Sequence, residues 1–118
     1  MSYDIKLVDP ITGKCLELDE PHHMRGGTYQ TGETLQANLN ITWNYGDAFR
    51  RVIGDQGVRT IYGMTGAESI PVLQSANSQL SDDVDDDYWK ATDGNAKRAL
   101  LQLLVLARMR PNGIWKGN

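Results

Sequence analysis

Near the start of the chain Tyr3, Ile5 and Leu7 alternate with Asp4, Lys6 and Val8, and the run stops at Asp9-Pro10, followed shortly by Thr12-Gly13. A period of two describes a strand with one buried face, and the Pro/Gly stop describes a turn. Lys14 to Leu18 alternates again, with Leu16 and Leu18 against Cys15 and Glu17, so a hairpin through the Pro10–Gly13 turn is expected. The longest alternation runs from Leu35 to Tyr45. It places Leu35, Ala37, Leu39, Ile41 and Trp43 on one face and Gln36, Asn38, Asn40, Thr42 and Asn44 on the other. A single apolar face argues for an antiparallel sheet covered on one side.

Helical spacing takes over in the second half. Asp47 is placed to cap a short helix through Phe49, Val52 and Ile53 that stops at Gly54, and Val58–Tyr62 reads as another short strand. Ile70, Leu73, Ala76 and Leu80 recur on one helical face. Pro71 is tolerated only near a first turn, so this helix begins near Ser69, or a turn earlier with a kink. From Ala96 to Met109 the residues Leu100, Leu101, Leu103, Leu104, Val105 and Leu106 make a helix apolar almost all round, which is central to the fold or shared with a second subunit. The expected fold is α+β: an antiparallel sheet from the N-terminal half with C-terminal helices packed on one face.

A length of 118 residues predicts one domain, 1–118, large enough to bury a core. With 40% apolar and 23% charged residues, the composition is that of an ordinary globular protein. The first residues lack a basic stretch followed by an apolar one, and no apolar run approaches the roughly 18 residues that span a bilayer. Cys15 is the single cysteine, so no internal disulfide forms. A cytoplasmic protein without membrane contact is expected. The net charge of −3 is unevenly spread: residues 94–118 hold five bases and no acid, whereas residues 82–93 hold six acids and Lys90. The acidic balance argues against direct nucleic-acid binding.

Two segments gather chemistry. In the first, Asp19-Glu-Pro-His22-His23 leads into Arg25-Gly26-Gly27-Thr28. Adjacent histidines on an extended segment point to opposite sides, and with Asp19 or Glu20 they match no compact zinc spacing, so no metal is assigned; a metal-assisted hydrolase at His22 or His23 is the weakest reading. Two glycines can turn successive N–H groups toward an anion while Arg25 donates a fork of hydrogen bonds to it. Asn38, Asn40 and Asn44 add donors and acceptors on the polar face of the long strand. These residues together form a candidate site for a nucleotide or phosphate compound. The chain contains neither a P-loop nor Gly-x-Gly-x-x-Gly, and no cofactor is implied.

The second segment is Ser81-Asp82-Asp83-Val-Asp85-Asp86-Asp87-Tyr88-Trp89. Read as a calcium loop from Asp83, it has Tyr88 where glycine is needed and Gly94 where glutamate is needed, so an EF-hand is excluded. A solvated acidic loop at a helix N-terminus is one reading. The other is a docking surface in which Asp82, Asp83, Asp85, Asp86 and Asp87, beside exposed Tyr88 and Trp89, imitate the spaced charges of a phosphate backbone and engage a nucleic-acid-binding protein. A serine or cysteine nucleophile has little support: there is no Gly-x-Ser-x-Gly, and Cys15 has no histidine close in sequence.

With Tyr3-Asp-Ile5, His22-His-Met-Arg-Gly-Gly-Thr-Tyr29, Asn40-Ile-Thr-Trp-Asn44 and Arg110-Pro-Asn-Gly-Ile-Trp115, the chain resembles, nearly end to end, small uncharacterised proteins of phages and other mobile elements of Gram-positive bacteria. That resemblance implies a context in which accessory proteins of this size bind and block host defence machinery, CRISPR nucleases included. The leading expectation is therefore a non-enzymatic, anti-CRISPR-like interaction module using the Asp82–Trp89 surface. Self-association through the 96–109 helix is a separate expectation.

Overall fold

In chain order the protein forms β1 (Ser2–Val8), β2 (Glu17–His23), β3 (Glu33–Gln36), β4 (Asn38–Thr42), α1 (Gly46–Val52), α2 (Gly66–Ser78), α3 (Asp93–Met109) and β5 (Ile114–Gly117). These elements come from a computed structural model that describes residues 1–27 and 32–118. β1 is the centre of a three-stranded antiparallel sheet in the order β4-β1-β5, and β2 and β3 form a separate two-stranded ribbon. The fold is α+β, with α3 packed against the sheet.

The alternation in β1 has the expected consequence. Tyr3 lies opposite Ile41 and Ile5 opposite Leu39, all four buried, whereas Asp4 opposite Asn40 and Lys6 opposite Asn38 occupy the other face. Leu39 and Ile41 join Phe49, Leu73, Leu100 and Leu103 in one core. Trp115, fully buried on β5, donates its indole N–H to Ser69 Oγ at 2.7 Å, which satisfies the polar handle of the largest core side chain.

Several local expectations give way to longer-range pairing. The Asp9–Gly13 turn forms, with Gly13 N–H donating to Asp9 O at 2.8 Å, and Leu16 N–H reaches Leu7 O at 2.9 Å. Beyond that point β2 leaves β1 and pairs with β3. The alternation from Leu35 to Tyr45 is two strands followed by a 3-10 turn at Trp43–Tyr45. Ala37 is the switch between sheets, donating to Leu16 O at 2.8 Å and accepting from Leu7 N–H at 2.9 Å. Val58–Tyr62 is not a strand: Gly57–Ile61 forms a 3-10 helix. Asp47 does not cap α1; it lies in the first turn and pairs with Arg50. α2 starts at Gly66, a turn before Ser69, because Thr65 and Glu68 close a capping box. β5 is an unexpected strand, four residues long.

Both sheet edges are covered. Asn40 N–H donates to Met24 O and Gly26 N–H to Asn40 O, each at 2.7 Å, and at the other edge Gly63 N–H donates to Trp115 O and Trp115 N–H to Met64 O, each at 2.9 Å. Along α3 the apolar girdle is not wholly enclosed: Leu101 and Val105 are 42% and 52% exposed. Among the described residues no helix is long and apolar enough to cross a membrane.

Candidate functional site

Residues 79–92 connect α2 to α3 without regular structure, yet side chains hold them in place. Thr92 caps α3 by accepting from Asn95 N–H at 3.2 Å. Asn95, fully buried, works as a clamp. Its Oδ1 accepts from Asp85 N–H at 3.0 Å, and its Nδ2 donates to Asp87 O and Lys90 O at 3.1 Å each. Gly94 N–H donates to Asp83 O at 3.0 Å, and a Cβ at Gly94 would lie 2.5 Å from the Asp83 carbonyl carbon, so only glycine lets the segment lie this close to α3. Two aspartates turn the chain locally: Asp85 Oδ1 accepts from Asp87 N–H at 2.8 Å and Asp87 Oδ1 from Trp89 N–H at 3.0 Å.

Tyr88 corrects one expectation: it is 2% exposed and serves as an anchor, not as an exposed aromatic. Its hydroxyl accepts the N–H of Thr42 at 2.7 Å, and its own carbonyl accepts the hydroxyl of Tyr45. Burial pushes both phenols above their ordinary value. Trp89 behaves oppositely and is 54% exposed, with its ring edge-on to Tyr88 at 4.9 Å.

The two segments singled out by sequence meet here. The guanidinium of Arg25 lies over both rings, and Asn44 Nδ2 donates to Trp89 O at 2.8 Å. Charge is only partly neutralised. Lys97 pairs with Asp82 at 2.8 Å and Lys90 with Asp85 at 3.3 Å. Lys97 holds Asp82 below the ordinary carboxylate value, and Asp87 N–H, followed by Lys90, does the same for Asp85. Asp83, Asp86 and Asp87 are exposed and make no ion pair among the described residues. Arg110 turns away and binds Asp19 at 2.9 Å and Glu17 O at 2.8 Å.

The remaining candidates of the first segment do not converge. The two glycines form no anion nest, because Gly26 N–H is bound by Asn40 O and Gly27 N–H by Gln102 Oε1, the latter at 2.8 Å. Their purpose is close packing: a Cβ at Gly26 would meet Ile41 and Leu39 at 3.0 Å, and Gly27, at φ +100°, would meet Tyr45 Oη at 2.8 Å. His22 Nε2 contacts Gln36 O at 2.7 Å and His23 Nδ1 contacts Gly32 O at 3.2 Å, so both rings brace the ribbon region. Thr28 lies outside the described residues. Asn40 Nδ2 donates to Asp4 and Ser2, whereas Asn44 belongs to the Trp89 surface; the polar strip is thus divided between two places. Among the described residues no three His, Cys, Asp or Glu side chains gather as a metal site. Cys15 is half-buried, and burial pushes its thiol up, away from a nucleophilic thiolate.

Sequence reasoning missed Asn95. The available signal was an asparagine, a poor helix former, three residues after Thr92 at the head of a leucine-rich helix. Comparison with protein-family models, with curated proteins and with solved structures finds no match to this chain.

Proposed function

We propose that the protein is a non-enzymatic interaction module whose docking surface is the 82–89 segment with Arg25 and Asn44 beside it. One observation carries this reading: a segment clamped from beneath by Asn95 and Tyr88 leaves Trp89 exposed beside the carboxylates of Asp83, Asp86 and Asp87, which are exposed and without an ion pair among the described residues. Fixing these groups before contact reduces the ordering cost of binding, and an exposed tryptophan ringed by polar groups fits the hot-spot pattern of protein interfaces. The fitting partner is a protein with a basic nucleic-acid-binding channel, where spaced carboxylates compete with phosphates. The phage and mobile-element resemblance makes a nucleic-acid-binding defence protein of the host cytoplasm, such as a CRISPR nuclease, the partner proposed.

Cleavage of target DNA by a guide-loaded Cas9-type nuclease, with and without the protein, tests this. Inhibition that weakens as salt or competing DNA increases, and that disappears in Asp83→Lys/Asp86→Lys/Asp87→Lys, is the expected result. Inhibition retained in full by that variant, or no inhibition at all, rejects the surface. Self-association through α3 would have to bury Leu101 and Val105 between two copies; light scattering reads it directly.

A further inference from the structure

The solvent face of the three-stranded sheet carries a feature with a different chemistry. Lys6 on β1 and Lys116 on β5 are register partners, so their side chains rise from directly opposite positions on the same face. Like charges directly opposite on a sheet are unfavourable. Among the described residues neither lysine makes an ion pair. Asn38 continues this row on β4 as the other partner of Lys6. The neighbouring row holds Asn40 and Asp4, and the Asp4 carboxylate already accepts from Asn40 Nδ2 at 2.6 Å. Met24, lying along the β4 edge, closes one side, and the whole forms a cleft of about 630 Å³. That volume lies within the range of small-molecule sites, roughly 300–1,000 Å³.

We propose that this cleft binds a small molecule bearing a phosphate or carboxylate group, seated between the ammonium groups of Lys6 and Lys116 and oriented by the amide of Asn38. An oxyanion between the two lysines turns their repulsion into two charge-assisted hydrogen bonds, and the Asn38 amide supplies a donor for its neutral oxygens, because both Nδ2 hydrogens of Asn40 are already held by Ser2 and Asp4. Asp4, engaged by Asn40, keeps one end of the cleft acidic and so fixes which way an asymmetric ligand lies. None of these residues belongs to the 82–89 surface, so the two proposals stand or fall separately.

Titration of the isotopically labelled protein with inorganic phosphate and, separately, with citrate, at constant ionic strength held by chloride, tests the proposal by amide chemical shifts. The expected result is saturable shifts for at least one probe, confined to residues 4–6, 38–40 and 116–118. Lys6→Gln and Lys116→Gln each weaken binding about tenfold, the loss of one hydrogen bond to a charged group, while Lys14→Gln leaves it unchanged. Stronger binding of phosphate than citrate assigns the phosphate class, and the reverse assigns the carboxylates. Without ligand, both cleft variants melt no lower than the parent, because like-charge repulsion has been removed. Linear, unsaturated shifts with both probes, or affinity unaffected by Lys6→Gln and Lys116→Gln, overturn the proposal.

Discussion

The guanidinium carbon of Arg25 lies 5.6 Å from the ring centroid of Tyr88, and the same group lies 5.9 Å from that of Trp89. One cation thus joins the loop after β2 to the acidic segment before α3, between residues more than sixty positions apart. A cation over aromatic faces contributes about 0.5–2 kcal/mol, depending on desolvation. Arg25→Ala is predicted to lower stability by about 1 kcal/mol and to red-shift Trp89 emission. Urea unfolding followed by fluorescence reads both; an unchanged midpoint and spectrum would show that the contact is idle.

Tyr88→Phe removes the acceptor of the Thr42 N–H at the end of β4 while keeping the ring. A buried donor left without a partner costs about 1–3 kcal/mol. The expected outcome is a loss of that size in chemical denaturation, with the ring packing retained in near-UV circular dichroism. A loss below about 0.5 kcal/mol, the low end for a hydrogen bond, would mean that water or another group replaces the phenol.

Gly26→Ala brings a methyl group to 3.0 Å from Ile41 and Leu39, which must give way by a few tenths of an ångström, and Gly27→Ala places one 2.8 Å from Tyr45 Oη at a backbone angle that side chains rarely adopt. Overpacking of this kind costs about 1–3 kcal/mol. Thermal melts of both variants should show lowered midpoints, whereas Gly13→Ala, with nothing near its Cβ position but the same positive φ, reports the backbone cost alone. Equal losses at all three positions would refute close packing as the reason for the Gly26-Gly27 pair.

Stability should be flat across neutral pH and fall on both sides. Asp9, Asp82, Asp85 and Asp93 lie below the ordinary value of 3.8, and Glu68 below 4.5, through backbone N–H donors or cationic partners. Their contribution is complete above those ordinary values and is lost as pH falls through the depressed ones. On the alkaline side burial raises Tyr45 and Tyr88, and Tyr62 is pushed up to about 12; their contribution holds below the ordinary value of 10.0 and is lost as pH climbs through the raised ones. Urea midpoints measured from acid to alkaline pH check both limbs. Marked loss between about pH 5 and 8 would contradict these assignments.

The sequence made the α+β class legible because β1 alternates cleanly and α3 concentrates leucine, and both patterns survive folding. Pairing was less legible. Lys14 to Leu18 reads as a partner for β1, and Cys15 does bridge Val8 across the turn, but β4 takes that edge from Lys6 back to Ser2 and the chain from Glu17 pairs with β3 instead; nothing local in Ile114–Gly117 announces a strand. The chemistry of single segments was misleading for the same reason. Arg25-Gly26-Gly27 reads as an anion cradle until Asn40 and Gln102, from elsewhere in the chain, take up the two glycine N–H groups. Tyr88 and Trp89 are neighbours of similar character, and only tertiary contact sends one inward to Thr42 and leaves the other outside. The acidity of residues 82–87 was evident from the first, but the clamp beneath them was not, since Asn95 acts through three backbone groups invisible in the sequence.

That clamp is what makes the acidic segment a fixed surface instead of a solvated tether, and amide hydrogen exchange measures it most directly. In the parent protein the N–H of Asp85 is predicted to exchange slowly, together with that of Gly94, and both should become fast in Asn95→Ala while the amides of the β1–β4 pair stay protected. Fast exchange at Asp85 in the parent protein, or exchange at Asp85 that Asn95→Ala does not alter, would show that the carboxylates are not held in place and would contradict the account.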